Sequence, residues 1–115
     1  MSRTLYILFI AAFVAVLAGC QRDATPQRAL TAQESRGQLL YESYCSRCHH
    51  PDSTSALNGP GLKGMYKKQY LSSGAPANDE RVRDVIKMGK RMMPGYGSLM
   101  NDPQIDDLIA YLHTL

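Results

Sequence analysis

Residues 41–52 read YESYCSRCHHPD, and Cys45-Ser46-Arg47-Cys48-His49 within them puts two thiols and an imidazole into five positions. Four chemistries use groups this close: a disulfide, a zinc site, a redox dithiol and a covalently held haem. A Cys45–Cys48 disulfide would close a tiny loop and constrain almost nothing else. A thioredoxin-like dithiol follows a strand in a βαβ setting, whereas a helical pattern precedes this motif. Structural zinc takes four ligands, usually as two separated pairs. Here Cys45, Cys48, His49 and His50 are bunched together and only His113 remains. C-x-x-C-H is also the spacing of c-type haem attachment. Two thiols three residues apart reach the two vinyl groups on one edge of a porphyrin, and the next residue sets an imidazole beneath the iron. Haem attachment is the reading that these features favour.

Upstream of the motif, Thr31 and Glu34 have the S/T-x-x-E spacing of a capping box. Gly37, Leu40, Tyr41 and Tyr44 then fall at i, i+3, i+4 and i+7, one face of a helix that leads into Cys45. A glycine on that face costs about 1 kcal/mol of propensity against alanine, and close approach of a second helix is the expected compensation. The spacing predicts a last helix over 102–114. Its start is Asn101 with Gln104, or Asp102 with Pro103, and its stripe is Ile105, Leu108, Ile109 and Leu112, with Tyr111 beside it. A third helix is predicted over 79–88, with Val82, Val85 and Ile86 on one face and Gly89 after its end. Residues 63–71 carry a weak pattern for a short helix. Loops rich in Gly and Pro fill 51–62, 72–78 and 89–97. No segment alternates as a strand does, so the expected class is all-α. The resulting core is thin, and a large apolar cofactor would fill it.

The beginning of the chain has a different character. Residues 5–18, LYILFIAAFVAVLA, follow Arg3 and form an uncharged apolar run that ends in small residues. This is the order of an export signal. The run is short of the roughly 20 residues a spanning helix needs, although including Thr4 and residues 19–21 keeps an uncleaved anchor as the alternative. Leu17-Ala18-Gly19-Cys20 resembles a bacterial lipobox. That resemblance implies cleavage before Cys20, which carries the lipid, and two or three acyl chains anchor stably where one does not. The expected organisation is therefore signal peptide 1–19, lipidated Cys20 with a flexible tether over 20–30, and one domain over 31–115. Removing Arg3 with the signal lowers the formal charge from +3 to +2, too small a value to argue for nucleic acid.

Over residues 31–115 the chain resembles a small class I monohaem cytochrome c. Gly37-x3-Tyr41-x3-Cys45 matches that family's first helix, and Leu108, Tyr111 and Leu112 match its last, whose aromatic packs over the glycine. The resemblance implies three to four helices round one haem c, with the end helices crossing. It implies thioether bonds from Cys45 and Cys48 and His49 as the proximal iron ligand. Asn58-Gly59-Pro60-Gly61-Leu62 resembles the GPxL segment, whose proline carbonyl accepts from the other nitrogen of the iron-bound His; the position here is Pro60. His/Met ligation is usual for such carriers, and Met93-Pro94-Gly95-Tyr96 resembles the Met-Pro ligand segment. Pro94 biases Met93 towards an extended conformation. Met92 is its rival, while Met65 and Met100 read as core, Met88 as packing or surface, and His50 and His113 as surface.

The resemblance implies a monomeric single-electron carrier rather than an enzyme, lipid-anchored on the periplasmic side of a bacterial membrane, or on the outer surface where no outer membrane exists. Redox proteins are the expected partners. Lys63, Lys67, Lys68, Arg83, Lys87, Lys90 and Arg91 form either a solvated surface or a basic rim that steers an acidic partner. The alternatives are a haem subunit of a larger respiratory complex, or a peroxidase or gas sensor if the sixth iron position is open.

Overall fold

In the computed structural model, which describes residues 28–115, each helix begins where a side chain takes up an orphan amide. Thr31 caps α1 (Ala32–Tyr44): its hydroxyl accepts from the Glu34 amide, and the Glu34 carboxylate accepts from the Thr31 amide at 2.7 Å. Asn78 caps α2 (Asp79–Met88) by accepting from Arg81 N. Asn101 and Gln104 form a reciprocal box at the start of α3 (Asp102–Leu112). Such a cap contributes about 1 kcal/mol. The described residues hold these three α-helices, one 3₁₀ turn and no strand, so the fold is all-α as expected. The signal segment and Cys20 lie outside the described residues, as does the tether up to residue 27. Of the rest of that tether, Arg28 pairs with Glu34 and Leu30 packs against the core.

The end helices cross. A methyl group added at Gly37 of α1 would lie 1.9 Å from the Asp107 carbonyl oxygen of α3, so only glycine admits this contact. The Arg36 guanidinium donates to both Asp107 carboxylate oxygens, at 2.7 and 2.8 Å, and locks the crossing from outside. Inside it, the rings of Tyr41 and Tyr111 meet at 5.4 Å. Ile105 and Leu108 are fully enclosed, and each such side chain contributes about 1.5–3 kcal/mol by leaving water. α2 lies against α3 with Val82 and Ile86 buried, and Arg83–Asp106 and Lys87–Asp102 pairs run along the joint.

Two boundaries differ from expectation. The 63–71 segment forms only Met65–Lys67, because Gly64 is left-handed (φ 64) and Lys68 is extended, which stops the turn at both ends. α3 ends at Leu112 rather than 114. The His113 imidazole there stacks on Tyr66 at 3.7 Å and reaches Asp79 at the start of α2, 2.8 Å away.

Candidate functional site

The C-x-x-C-H motif continues the last turn of α1. Cys45 is the C-terminal cap residue, its amide donating to Tyr41 O at 2.8 Å, and the amides of Cys48 and His49 both donate to Cys45 O at 3.0 Å. This turn sets both thiols and the imidazole at one end of one helix. Cys45 and Cys48 form no disulfide with each other, and each is half-buried. Burial, reinforced by the charge of Cys48, pushes the Cys45 thiol up to about 11. A redox dithiol needs the reverse, a thiolate favoured at neutral pH. Among the described residues no three His, Cys, Asp or Glu side chains gather as a cage for a metal ion, so the zinc reading finds no support there.

The 51–62 loop returns to the motif and holds His49. The ring Nδ1 is 2.7 Å from Pro60 O. A carbonyl only accepts, so Nδ1 carries the proton and Nε2 keeps its lone pair. Gly59 lies against the same ring, where an added Cβ would stand 2.4 Å from Cε1. The Gly59 amide donates to Cys48 O at 2.8 Å, which ties this loop to the motif. Tyr41 fixes the backbone from the other side, its hydroxyl donating to His49 O at 2.5 Å. The spacing of residues singled out His49, and the resemblance to the GPxL segment singled out Pro60, but neither showed these two supports. Tyr41 showed as a helix-face residue matching the family's first helix, and Gly59 as part of the GPxL-like segment, with the contact that each makes to His49 unread.

The 89–97 loop carries the distal candidates. Gly89 has φ 74, and its backbone passes so close that a Cβ would meet Met93 O at 2.4 Å. Lys90 and Met93 then exchange both backbone hydrogen bonds at 3.0 Å, with Arg91 at φ 55 inside the turn. Met92 projects from this turn and is 90% exposed, whereas Met93 is partly buried. Met65 and Met100 are core residues, and Met88 is exposed. Tyr96 pins the loop to the motif end of α1, its hydroxyl donating to Tyr44 O at 3.1 Å and its ring 5.7 Å from that of Tyr44. His113 is engaged with Asp79.

Two thiols at i and i+3 and an adjacent imidazole with its lone pair kept on Nε2 are the donor set of a covalently held haem, and these residues fit that group. A helical domain whose first helix ends in this set defines a small c-type cytochrome. Residues 32–112 match the family described as cytochrome c oxidase, cbb3-type, subunit III, and the chain belongs to that family. Membership implies one covalently bound haem c and electron transfer. The chain is 26% identical to a cytochrome c6 of Picosynechococcus sp., over 90% of this chain and 89% of that protein. It is 25% identical to a cytochrome c6 of Tetradesmus obliquus, over 72% and 91%. It is 28% identical to the cytochrome c subunit of a 4-cresol dehydrogenase of Pseudomonas putida, over 80% and 71%.

Proposed function

We propose that this chain is a lipid-anchored electron carrier that holds its haem through Cys45 and Cys48 and its iron between His49 and Met93. The observation that carries the reading is the clamp on His49: Nδ1 donates to Pro60 O while Gly59 backs the ring, leaving Nε2 as the free donor. When bound, the haem supplies a one-electron couple at its iron. The chain's own residues orient the imidazole and present the 89–97 loop. The partial burial of Met93, against the exposure of Met92, supports Met93 as the distal ligand. With His49 and Met93 both holding the iron, no position would remain for a substrate or gas, so the reading is a carrier and not a peroxidase or gas sensor. Residues 1–19 act as the signal, Cys20 takes the lipid, and the domain works on the periplasmic side as a monomer.

Met93→Ala is expected to change the axial coordination seen in reduced and oxidised spectra and to lower the reduction potential, while Met92→Ala leaves both unchanged. An unaltered spectrum and potential in Met93→Ala would overturn the ligand. The mass of the mature protein reads the haem and the lipid together. A second reading, a haem subunit docked in a larger redox complex, draws on the oxidase-subunit family and the dehydrogenase-subunit relative. It uses the same residues and is read by co-purification of the other subunits.

A further inference from the structure

The two candidate axial side chains ride on different helices. His49 continues the end of α1 through the motif, its amide donating to Cys45 O at 3.0 Å. Met93 takes its place from α2, on which the 89–97 loop is built. Gly97 N donates to Lys87 O at 3.1 Å and Tyr96 N to Ile86 O at 2.8 Å, and a Cβ on Gly95 would meet Lys87 O at 2.7 Å. α2 in turn packs on α3. The separation of the two ligands is therefore set through a relay of contacts unless something joins the loop to α1 directly.

Tyr96 is that join. Among the described residues its hydroxyl makes the only hydrogen bond from the 89–97 loop to α1, donating to Tyr44 O at 3.1 Å. Tyr44 O is a carbonyl left open at the helix end. The amides of Cys45 and Ser46 turn to Tyr41 O, and those of Cys48 and His49 to Cys45 O. The rings of Tyr96 and Tyr44 pack edge to face at 5.7 Å. Burial, then the charges of Cys45 and Cys48, push the Tyr96 phenol up from its ordinary range, so the hydroxyl lies within reach of both thiols and keeps its proton. Between Met93 and Tyr96 the backbone has little slack. Lys90 and Met93 exchange hydrogen bonds, Pro94 fixes its own φ, and Gly95 is wedged against Lys87 O and Met88 O. Whatever holds Tyr96 holds Met93.

We propose that Tyr96 is a positioning residue for Met93, its hydroxyl strapping the distal loop to the cysteine end of α1 so that the thioether stays on the iron. The inference rests on the His49–Met93 reading given above. Tyr96 acts through the loop and not on the iron itself. A neutral thioether competes with any small molecule that reaches the same position, so its occupancy depends on how firmly its loop is held. Removing a hydrogen bond that orients a metal ligand weakens that ligand's hold by about tenfold or more.

The test uses the haem-loaded full chain, reduced and mixed with carbon monoxide, which binds only where Met93 has let go. Tyr96→Phe keeps the ring and removes the hydroxyl, and it is expected to raise the rate of carbon monoxide binding about tenfold. Tyr41→Phe is the matched control. It removes a hydroxyl that donates to His49 O, on the proximal residue, and so weakens the fold without touching the distal loop. Its rate should stay within about twofold of the wild type on the same scale. Amide hydrogen exchange supplies a second readout. The Tyr96 and Gly97 amides, whose bonds to α2 survive in Tyr96→Phe, should exchange within about twofold of the wild type. No rise in carbon monoxide binding, or an equal rise in Tyr41→Phe, would overturn the positioning role. Exposure of those two amides would overturn it too, since the loop would then be unravelling from α2 rather than slipping its strap. Fast binding by the wild type, unchanged in Met93→Ala, would overturn the Met93 reading and the inference with it. A slow wild-type rate that Met93→Ala raises and Tyr96→Phe does not would overturn the strap alone.

Discussion

At Gly59 an added methyl group would stand 2.4 Å from Cε1 of the His49 ring, while Pro60 O holds Nδ1 of that ring at 2.7 Å. The ring is thus braced on one side and tethered on the other, and neither its plane nor its tautomer is free. Gly59→Ala is therefore expected to tilt the imidazole, shifting the absorption spectrum and reduction potential of the haem-loaded protein with helix content unchanged by circular dichroism. Tyr41→Phe removes only the hydroxyl that donates to His49 O. It should lower unfolding stability by about 1 kcal/mol in a denaturant titration. Cys45, Cys48 and His49 were legible in the sequence because their meaning lies in spacing along the chain. The Gly59 brace was not, because it depends on where the loop after His49 returns, and the Tyr41 hydrogen bond was not, because it depends on how the turn after α1 bends; spacing encodes neither.

Helices were read well where two local signals agreed. α1 and α2 lie where capping residues and apolar periodicity coincide, and α3 starts at the Asn101–Gln104 box. The readings slipped where the last turn of α3 tightens, Thr114 N donating to Tyr111 O, or where a glycine took a left-handed turn, as at Gly64. The predicted close approach at Gly37 is present, though the atom that forbids a side chain is a backbone oxygen, Asp107 O. Gly37→Ala must part the crossing helices, and a loss of about 2 kcal/mol or more is expected from chemical denaturation. The turn before Met93 offers the opposite case. Arg91 adopts φ 55, a conformation that costs a side-chain-bearing residue about 1–2 kcal/mol. Arg91→Gly should relieve part of this and raise unfolding stability by up to about 1 kcal/mol, after allowing for the freedom glycine gains when unfolded.

Across the whole molecule, carboxylates tie the helices together at the surface. Hydrogen bonds from Arg28 and then Thr31 hold Glu34 down to about 2, and Lys87 and Arg36 lower Asp102 and Asp107. Because these groups titrate lower folded than unfolded, the stability they add is present above the ordinary carboxylate range. It is lost as pH falls through their folded values. Thermal midpoints should therefore be level from about pH 5 upwards and decline between roughly pH 4.5 and 2. Added salt should shrink the effect, since all three pairs are open to solvent. One last consequence follows from the crossing of α1 and α3. Arg36 and Asp107 meet across 71 positions, and Ile105, Leu108 and Leu112, which seal the core, all come from the later of the two crossing helices. A chain emerging from the ribosome N-terminus first has nothing for Gly37 and Tyr41 to close upon until α3 has been made. Closure of the core must wait until α3 is made, so the thiols at the end of α1 stay within reach of other molecules until then.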